Sequence, residues 1–154
     1  MASLDSVISR IQNLDAAIED ALDKEVAEAI KETLVAVARE KVYDAYTPKF
    51  LSRRDGNGGV LDKNSMTHEA HGTELTVWDR PKWQQLYGGT IPAEELVEAL
   101  AKGDARFHFA EAGERPFHEA AKQRVISDGT AEEALRRGLQ RQGIDTSNLQ
   151  IFFT

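Results

Sequence analysis

Residues 1–46 carry apolar side chains at steps of three and four, with charged residues on the remaining positions. This spacing predicts one amphipathic helix from Leu4 to about Tyr46, uninterrupted by Gly or Pro before Pro48. At ~1.5 Å per residue such a helix would be a rod of roughly 60 Å. We therefore expect either a break near Asn13–Asp15 or Asp23–Lys24, or an N-terminal half that projects and packs on another subunit.

Aromatic residues and a proline mark the exit from this helix. Pro disfavours helical geometry at the residue before it, so the helix ends at Pro48. Aromatic side chains bunched at a helix exit hide much apolar area, on the order of 150–250 Å² each. We expect a structural anchor, buried where the helix meets a sheet, that consists of Tyr43, Tyr46, Pro48 and Phe50.

A polar loop follows the anchor. Its glycines supply the backbone freedom that a tight loop needs. The two adjacent guanidinium groups have two interpretations: ordinary loop charges that face solvent or a salt bridge, or a contact to an acidic partner surface or a backbone phosphate. The second interpretation predicts a subunit interface that includes Arg53, Arg54, Asn57, Gly58 and Gly59.

Short strands and short helices follow the loop. Alternation on both sides of Gly72-Thr73 predicts an antiparallel hairpin that contains Glu74–Trp78. We expect a single α+β domain over residues 1–154, in which the long N-terminal helix packs with further helices on a small antiparallel sheet. Its predicted parts are the long helical segment (1–46), a loop and β-hairpin (47–91), helices with one strand (92–143) and a β-prone tail (144–154).

The tail is apolar. Water disfavours an exposed group such as Ile151, Phe152 and Phe153 unless something covers it. The tail either completes the sheet of its own subunit or adds a strand to a neighbour's sheet edge. The second alternative makes these three residues part of the subunit interface.

Composition excludes several classes of function. The formal net charge is −7 and the pI about 5.1, which disfavours a generic nucleic-acid-coating role. Cysteine is absent, so disulfides and thiolate metal sites are impossible. No apolar run approaches the ~20 residues of a membrane span, and the first residues lack the apolar block of a secretory signal. We expect a protein that is made in the cytoplasm and has no membrane contact.

Candidate catalytic and metal-binding residues are few. His68 and His71 would point to opposite faces of a strand and have no third ligand nearby. His118, beside Glu119, is interpreted as a partnered surface histidine rather than a general base. No G-x-S-x-G elbow or phosphate loop is present. We expect no enzyme activity, catalytic residue, metal or cofactor, and we expect dipole complementation, rather than a basic binding face, from Arg136, Arg137 and Arg141.

Taken in order, several motifs carry a resemblance that covers roughly residues 35–144. They are Tyr43-x-x-Tyr46-x-Pro48, Arg53-Arg54, Gly58-Gly59-x-Leu61-Asp62, a strand hairpin, Arg115-Pro116-Phe117 and the segment from Leu135 to Ile144. The chain resembles the small head–tail joining, or tail-completion, proteins of long-tailed bacteriophages and prophages. It departs from them in its long N-terminal helix, its apolar tail and an extra acidic helix at Pro92–Lys102.

The resemblance implies a non-enzymatic structural virion protein, without cofactors, at the head–tail interface. It implies a homo-oligomeric ring that connects the head connector to the tail tube, assembled in the bacterial host cytoplasm. The implied partners are neighbouring neck, tail-terminator or tail-tube proteins, with passive contact to DNA in the channel. Two alternatives remain: a small cytoplasmic binding or regulatory module that dimerises through its N-terminal helix, and an enzyme that uses His118 or His68.

Overall fold

The computed structural model describes residues 3–44, 59–81, 83–84, 90–102 and 116–154. Within these ranges helices dominate and strands are short. The helices are α1 (Leu4–Ala21), α2 (Ala27–Ala38), α3 (Ala93–Lys102), α4 (Phe117–Ser127) and α5 (Thr130–Arg141), and the strands are β1 (Met66–His71), β2 (Glu74–Asp79), β3 (Trp83–Gln84) and β4 (Thr90–Ile91).

The N-terminal helical segment continues through both predicted break points. Ser3 caps α1, because its side chain accepts a hydrogen bond from the backbone N–H of Ser6 at 3.3 Å. Between α1 and α2 the chain forms one π turn, Leu22–Val26, and a second π turn, Arg39–Tyr43, follows α2. The backbone keeps right-handed helical dihedral angles at both junctions of the first π turn. The chain therefore widens near Asp23–Lys24 instead of breaking.

Helix α5 packs antiparallel against the end of α1 through small side chains. Its buried face consists of Ala131, Ala134, Leu135, Gly138 and Leu139. A Cβ atom added to Gly138 would lie 2.5 Å from the Cβ and 3.0 Å from the Cα of Ala21. The two helices therefore approach so closely that only glycine fits at this position.

Two apolar clusters form the core. The first lies around α2 and α4 and includes Val37 and Phe117, both fully buried. The second lies between the end of α1, the first π turn and α5, and includes Val26 and Leu139. The half-buried Ile30 on α2 contacts both clusters, so the N-terminal helical segment connects them.

The sheets are small and antiparallel. Strands β1 and β2 form a hairpin in which Met66 pairs with Asp79 and His71 with Glu74. Gly72 in its turn has φ +58°, a conformation that favours glycine. Strands β3 and β4 form a second two-stranded sheet. This architecture confirms the predicted α+β class with a long N-terminal helical segment. In the described part of the chain, no helix is both long and apolar enough to cross a membrane.

Candidate functional site

The first half of α1 carries an exposed apolar stripe. Side chains from Leu4 to Ala16 are exposed, apart from the half-buried Ser6 and Leu14, and burial begins at Ala17. Four large apolar residues lie in the exposed part, with exposed fractions of 74% for Leu4, 41% for Val7, 43% for Ile8 and 55% for Ile11. This end of α1 therefore projects from the folded body with its apolar face in water.

Charged groups hold the other end of α1 against α5. Arg141 donates from Nε to Oε1 of Glu25 at 2.6 Å and also pairs with Asp20. The amide of Gln142 donates to the backbone carbonyl of Ala17 at 2.8 Å. Hydrogen bonds from Arg141 lower the pKa of Glu25, and those from Lys24 and then Arg141 lower the pKa of Asp20. These contacts fix the base from which the exposed stripe projects.

The C-terminal tail is held against α5 and has no regular secondary structure. Arg136 donates to the carbonyl of Thr146 at 2.6 Å and to that of Leu149 at 2.8 Å. Ile151 and Phe153 are partly buried against the second core cluster. The residue between them, Phe152, is 83% exposed. Within residues 144–154, which the structure describes throughout, the tail pairs with no strand.

Two arginines of α5 also form tertiary contacts, beyond the predicted complementation of the helix dipole. Arg136 holds the tail, and Arg141 joins α5 to α1. Arg137 is exposed. Each contact joins α5 to another segment of the chain. The order of charged residues along α5 alone therefore could not predict these contacts.

The predicted loop interface and aromatic anchor lie mostly outside the described residues. This applies to Arg53, Arg54, Asn57 and Gly58 of the loop, and to Tyr46, Pro48 and Phe50 of the anchor. Gly59 is described: its carbonyl accepts hydrogen bonds from the N–H of Asp62 at 3.0 Å and from Oγ of Ser65 at 2.9 Å. Tyr43 is half-buried against the first core cluster. The loop interface and the aromatic anchor therefore stay predictions.

A partly buried contact between a histidine and an aspartate ties the hairpin to α4. Oδ2 of Asp79 lies 2.8 Å from Nε2 of His118. The Asp79 side chain is fully buried, whereas that of His118 is 37% exposed. Oδ1 of Asp79 is also buried and has no hydrogen-bond partner among the described residues. The sequence indicated a partnered surface histidine near Glu119, and the structure shows that Asp79 of the hairpin is a partner.

The two other histidines considered lie apart on β1. Nε2 of His68 is 3.2 Å from Asp23, and Nε2 of His71 is 2.9 Å from Glu69. The hydrogen bond that His71 donates to the Glu69 carboxylate raises the pKa of His71. Among the described residues no group of three or more His, Asp or Glu side chains is arranged to hold a metal ion.

The close packing of α5 at Gly138 could have been predicted from the sequence of α5. Gly138 lies inside the helical pattern of α5, with Ala134 four residues and Ala131 seven residues before it. Small residues at this spacing share one helix face and permit close packing of a second helix. The exposed stripe of α1 had the same kind of signal, since its apolar periodicity continues beyond the part that α5 covers.

The fold and surfaces define a small α+β protein with exposed apolar residues at a projecting helix and in its C-terminal tail. The model of the YomN family matches residues 6–141. The chain belongs to this family. Its name is that of a Bacillus phage or prophage-derived family, which indicates that the protein is phage-associated. No curated protein and no solved structure matches the chain.

Proposed function

We propose that the chain is a structural virion protein of a long-tailed phage or phage-tail-like particle. It acts as a subunit of a homo-oligomeric ring at the head–tail joint and connects the head connector to the tail tube. The membership in a phage-associated family carries this proposal. The motif order from Tyr43 to Ile144 supports the more specific position, through its resemblance to head–tail joining proteins.

Two surfaces suit a subunit with several neighbours. The exposed stripe of α1 and the exposed Phe152 are apolar features that a soluble monomer gains nothing by exposing. A ring subunit contacts a copy on each side as well as a neighbouring neck, tail-terminator or tail-tube protein, so it needs more than one such surface. The net charge of −7 would let DNA pass through the channel without strong binding.

In this proposal the protein is not an enzyme. The contact between His118 and Asp79 joins α4 to the hairpin, and we assign it a structural role.

The decisive experiment locates the protein in particles. The gene is deleted from the phage and supplied in trans with an epitope tag, and particles are examined by immunogold electron microscopy. We expect label at the neck, and we expect the deletion to leave separate heads and tails. Complete infectious particles in the deletion strain, or label confined to the cell lysate, would contradict the proposal.

Point variants then test the predicted subunit interface. Arg53→Glu with Arg54→Glu reverses both charges of the loop, and Phe152→Ser removes the exposed tail group. We expect both variants to fold normally and to enter particles poorly. Phe153→Ser is the matched control for the tail, since Phe153 packs on the core and its loss should lower stability instead. Normal entry of both interface variants would refute these interface assignments.

A further inference from the structure

The projecting end of α1 has the wrong surface for a helix that stands alone in water. In proteins most helical stability comes from tertiary packing of an apolar face. The part of α1 before Ala17 continues a helix whose other end is packed, yet it contributes little to the core itself. A contiguous apolar face on such a helix marks an interaction site.

The exposed apolar residues, together with the half-buried Leu14, follow a heptad. Leu4 and Ile11 occupy a positions, and Val7 and Leu14 occupy d positions. Apolar residues at a and d form the seam through which parallel helices pack knobs into holes. Ile8 occupies an e position and widens the seam. The pattern is that of a helix whose partner is another helix.

Charges beside the seam fit one orientation of the partner. Arg10 occupies a g position and Asp15 the following e position. In a parallel coiled coil the g residue of one helix faces the e residue five positions later on the next helix. Within one helix the two side chains point about 140° apart, since each residue turns the helix by about 100°. Neither residue forms an ion pair in the described part of its own chain.

We propose that the exposed end of α1 packs in parallel against the same helix of a second copy of this chain, with Arg10 of one copy facing Asp15 of the other. An antiparallel arrangement would place g residues opposite each other and so bring the two Arg10 side chains together. Parallel packing is compatible with two copies or with a larger cyclic ring, because the contact repeats around the symmetry axis. The inference goes beyond the proposed function and does not depend on a position in the virion.

The first test removes the seam. The full chain carries Leu4→Gln, Val7→Gln and Ile11→Gln. Gln is polar and a good helix former, so these changes remove the apolar surface without disfavouring the helix. Sedimentation velocity is measured from about 1 μM to about 1 mM, a range that brackets weak association. We expect the native chain to self-associate and the variant to lose at least about 100-fold in affinity, from removal of several apolar contacts. The midpoint of thermal unfolding at low concentration should not change.

The second test determines orientation. Arg10→Asp alone and Asp15→Arg alone each place like charges across the seam and should weaken self-association about three- to tenfold at low salt. The double variant exchanges the charges and should regain the native affinity. A mixture of the two single variants should associate more tightly than either alone, because each then meets the opposite charge.

Three outcomes would overturn the proposal. The native chain could stay monomeric at about 1 mM, its self-association could survive loss of the seam, or the charge exchange could fail to restore affinity. The first two would assign the stripe to a different partner, and the third would exclude the parallel register. None of them bears on whether the protein is found at the phage neck, which the particle experiment decides separately.

Discussion

Replacing Gly138 by Ala tests whether the close contact between α5 and α1 holds the second core cluster together. The new Cβ would lie 2.5 Å from the Cβ and 3.0 Å from the Cα of Ala21. Carbon atoms in contact are normally about 3.5–4.0 Å apart, so the helices must separate by about 1 Å. The 3.0 Å contact is with a backbone atom, so a side-chain rotation cannot relieve it.

Two opposing effects determine the size of the change. Ala is favoured over Gly in a helix interior by about 0.8–1.0 kcal/mol, which stabilises the variant. Overpacking a well-packed core costs about 1–3 kcal/mol, and the upper part of this range applies because backbone must move. We therefore expect a net loss of about 2 kcal/mol in the free energy of unfolding. For a chain of this size that lowers the unfolding midpoint by roughly 4–8 °C.

Urea denaturation and calorimetry measure this loss, and a compensating variant isolates its cause. Ala21→Gly in the Gly138→Ala background removes the closest of the three contacts and leaves those with Oε2 of Glu25 at 2.6 Å and with the Cα of Ala21, so the double variant should lose less than the sum of the single losses. We expect a coupling free energy of about 1–2 kcal/mol between the two positions. An increase in stability on Gly138→Ala, as at an exposed helix position, would refute the close-contact argument.

Two further predictions concern the side-chain partners of acidic residues. His118→Ala leaves the Asp79 carboxylate buried without this partner. We expect urea denaturation to show a loss of about 2–4 kcal/mol in the free energy of unfolding. This loss is below the ~3–5 kcal/mol of a fully buried pair, because His118 is 37% exposed. Arg141 lowers the folded-state pKa of Glu25 below its ordinary value of 4.5, so this pair contributes stability above pH 4.5 that is lost as the pH falls through the folded pKa. Denaturation between pH 7 and pH 3 should therefore show a smaller loss of stability in Arg141→Met than in the native chain.

The chain supplies matched controls for both predictions. His71→Ala removes a histidine whose pair with Glu69 is largely exposed, so the unfolding midpoint should stay unchanged. Equal losses for the two histidine variants would show that burial of Asp79 does not matter. Arg137→Met removes an exposed charge from the same helix as Arg141 and should retain the native pH dependence. A flattened pH profile in this control would indicate a general charge effect instead of the Glu25 pair.

Local patterns were enough to predict the helices and the hairpin. The apolar period of three to four identified the N-terminal helical segment, and alternation around Gly72 identified the hairpin, because these periods reflect which side of an element meets apolar surroundings. The same period could not say where burial begins. Leu4 and Val26 belong to one continuous stripe, yet Leu4 is 74% exposed and Val26 1% exposed.

That difference arises in the tertiary structure. Burial starts at Ala17 because α5, more than a hundred residues later in the chain, packs there through Gly138 and pairs Arg141 with Glu25. Arg136 likewise holds the tail only after α5 and the tail have come together. Sequence periodicity reports the face that each element presents, whereas the close approach of distant elements determines which part of that face becomes core and which part stays available to a partner.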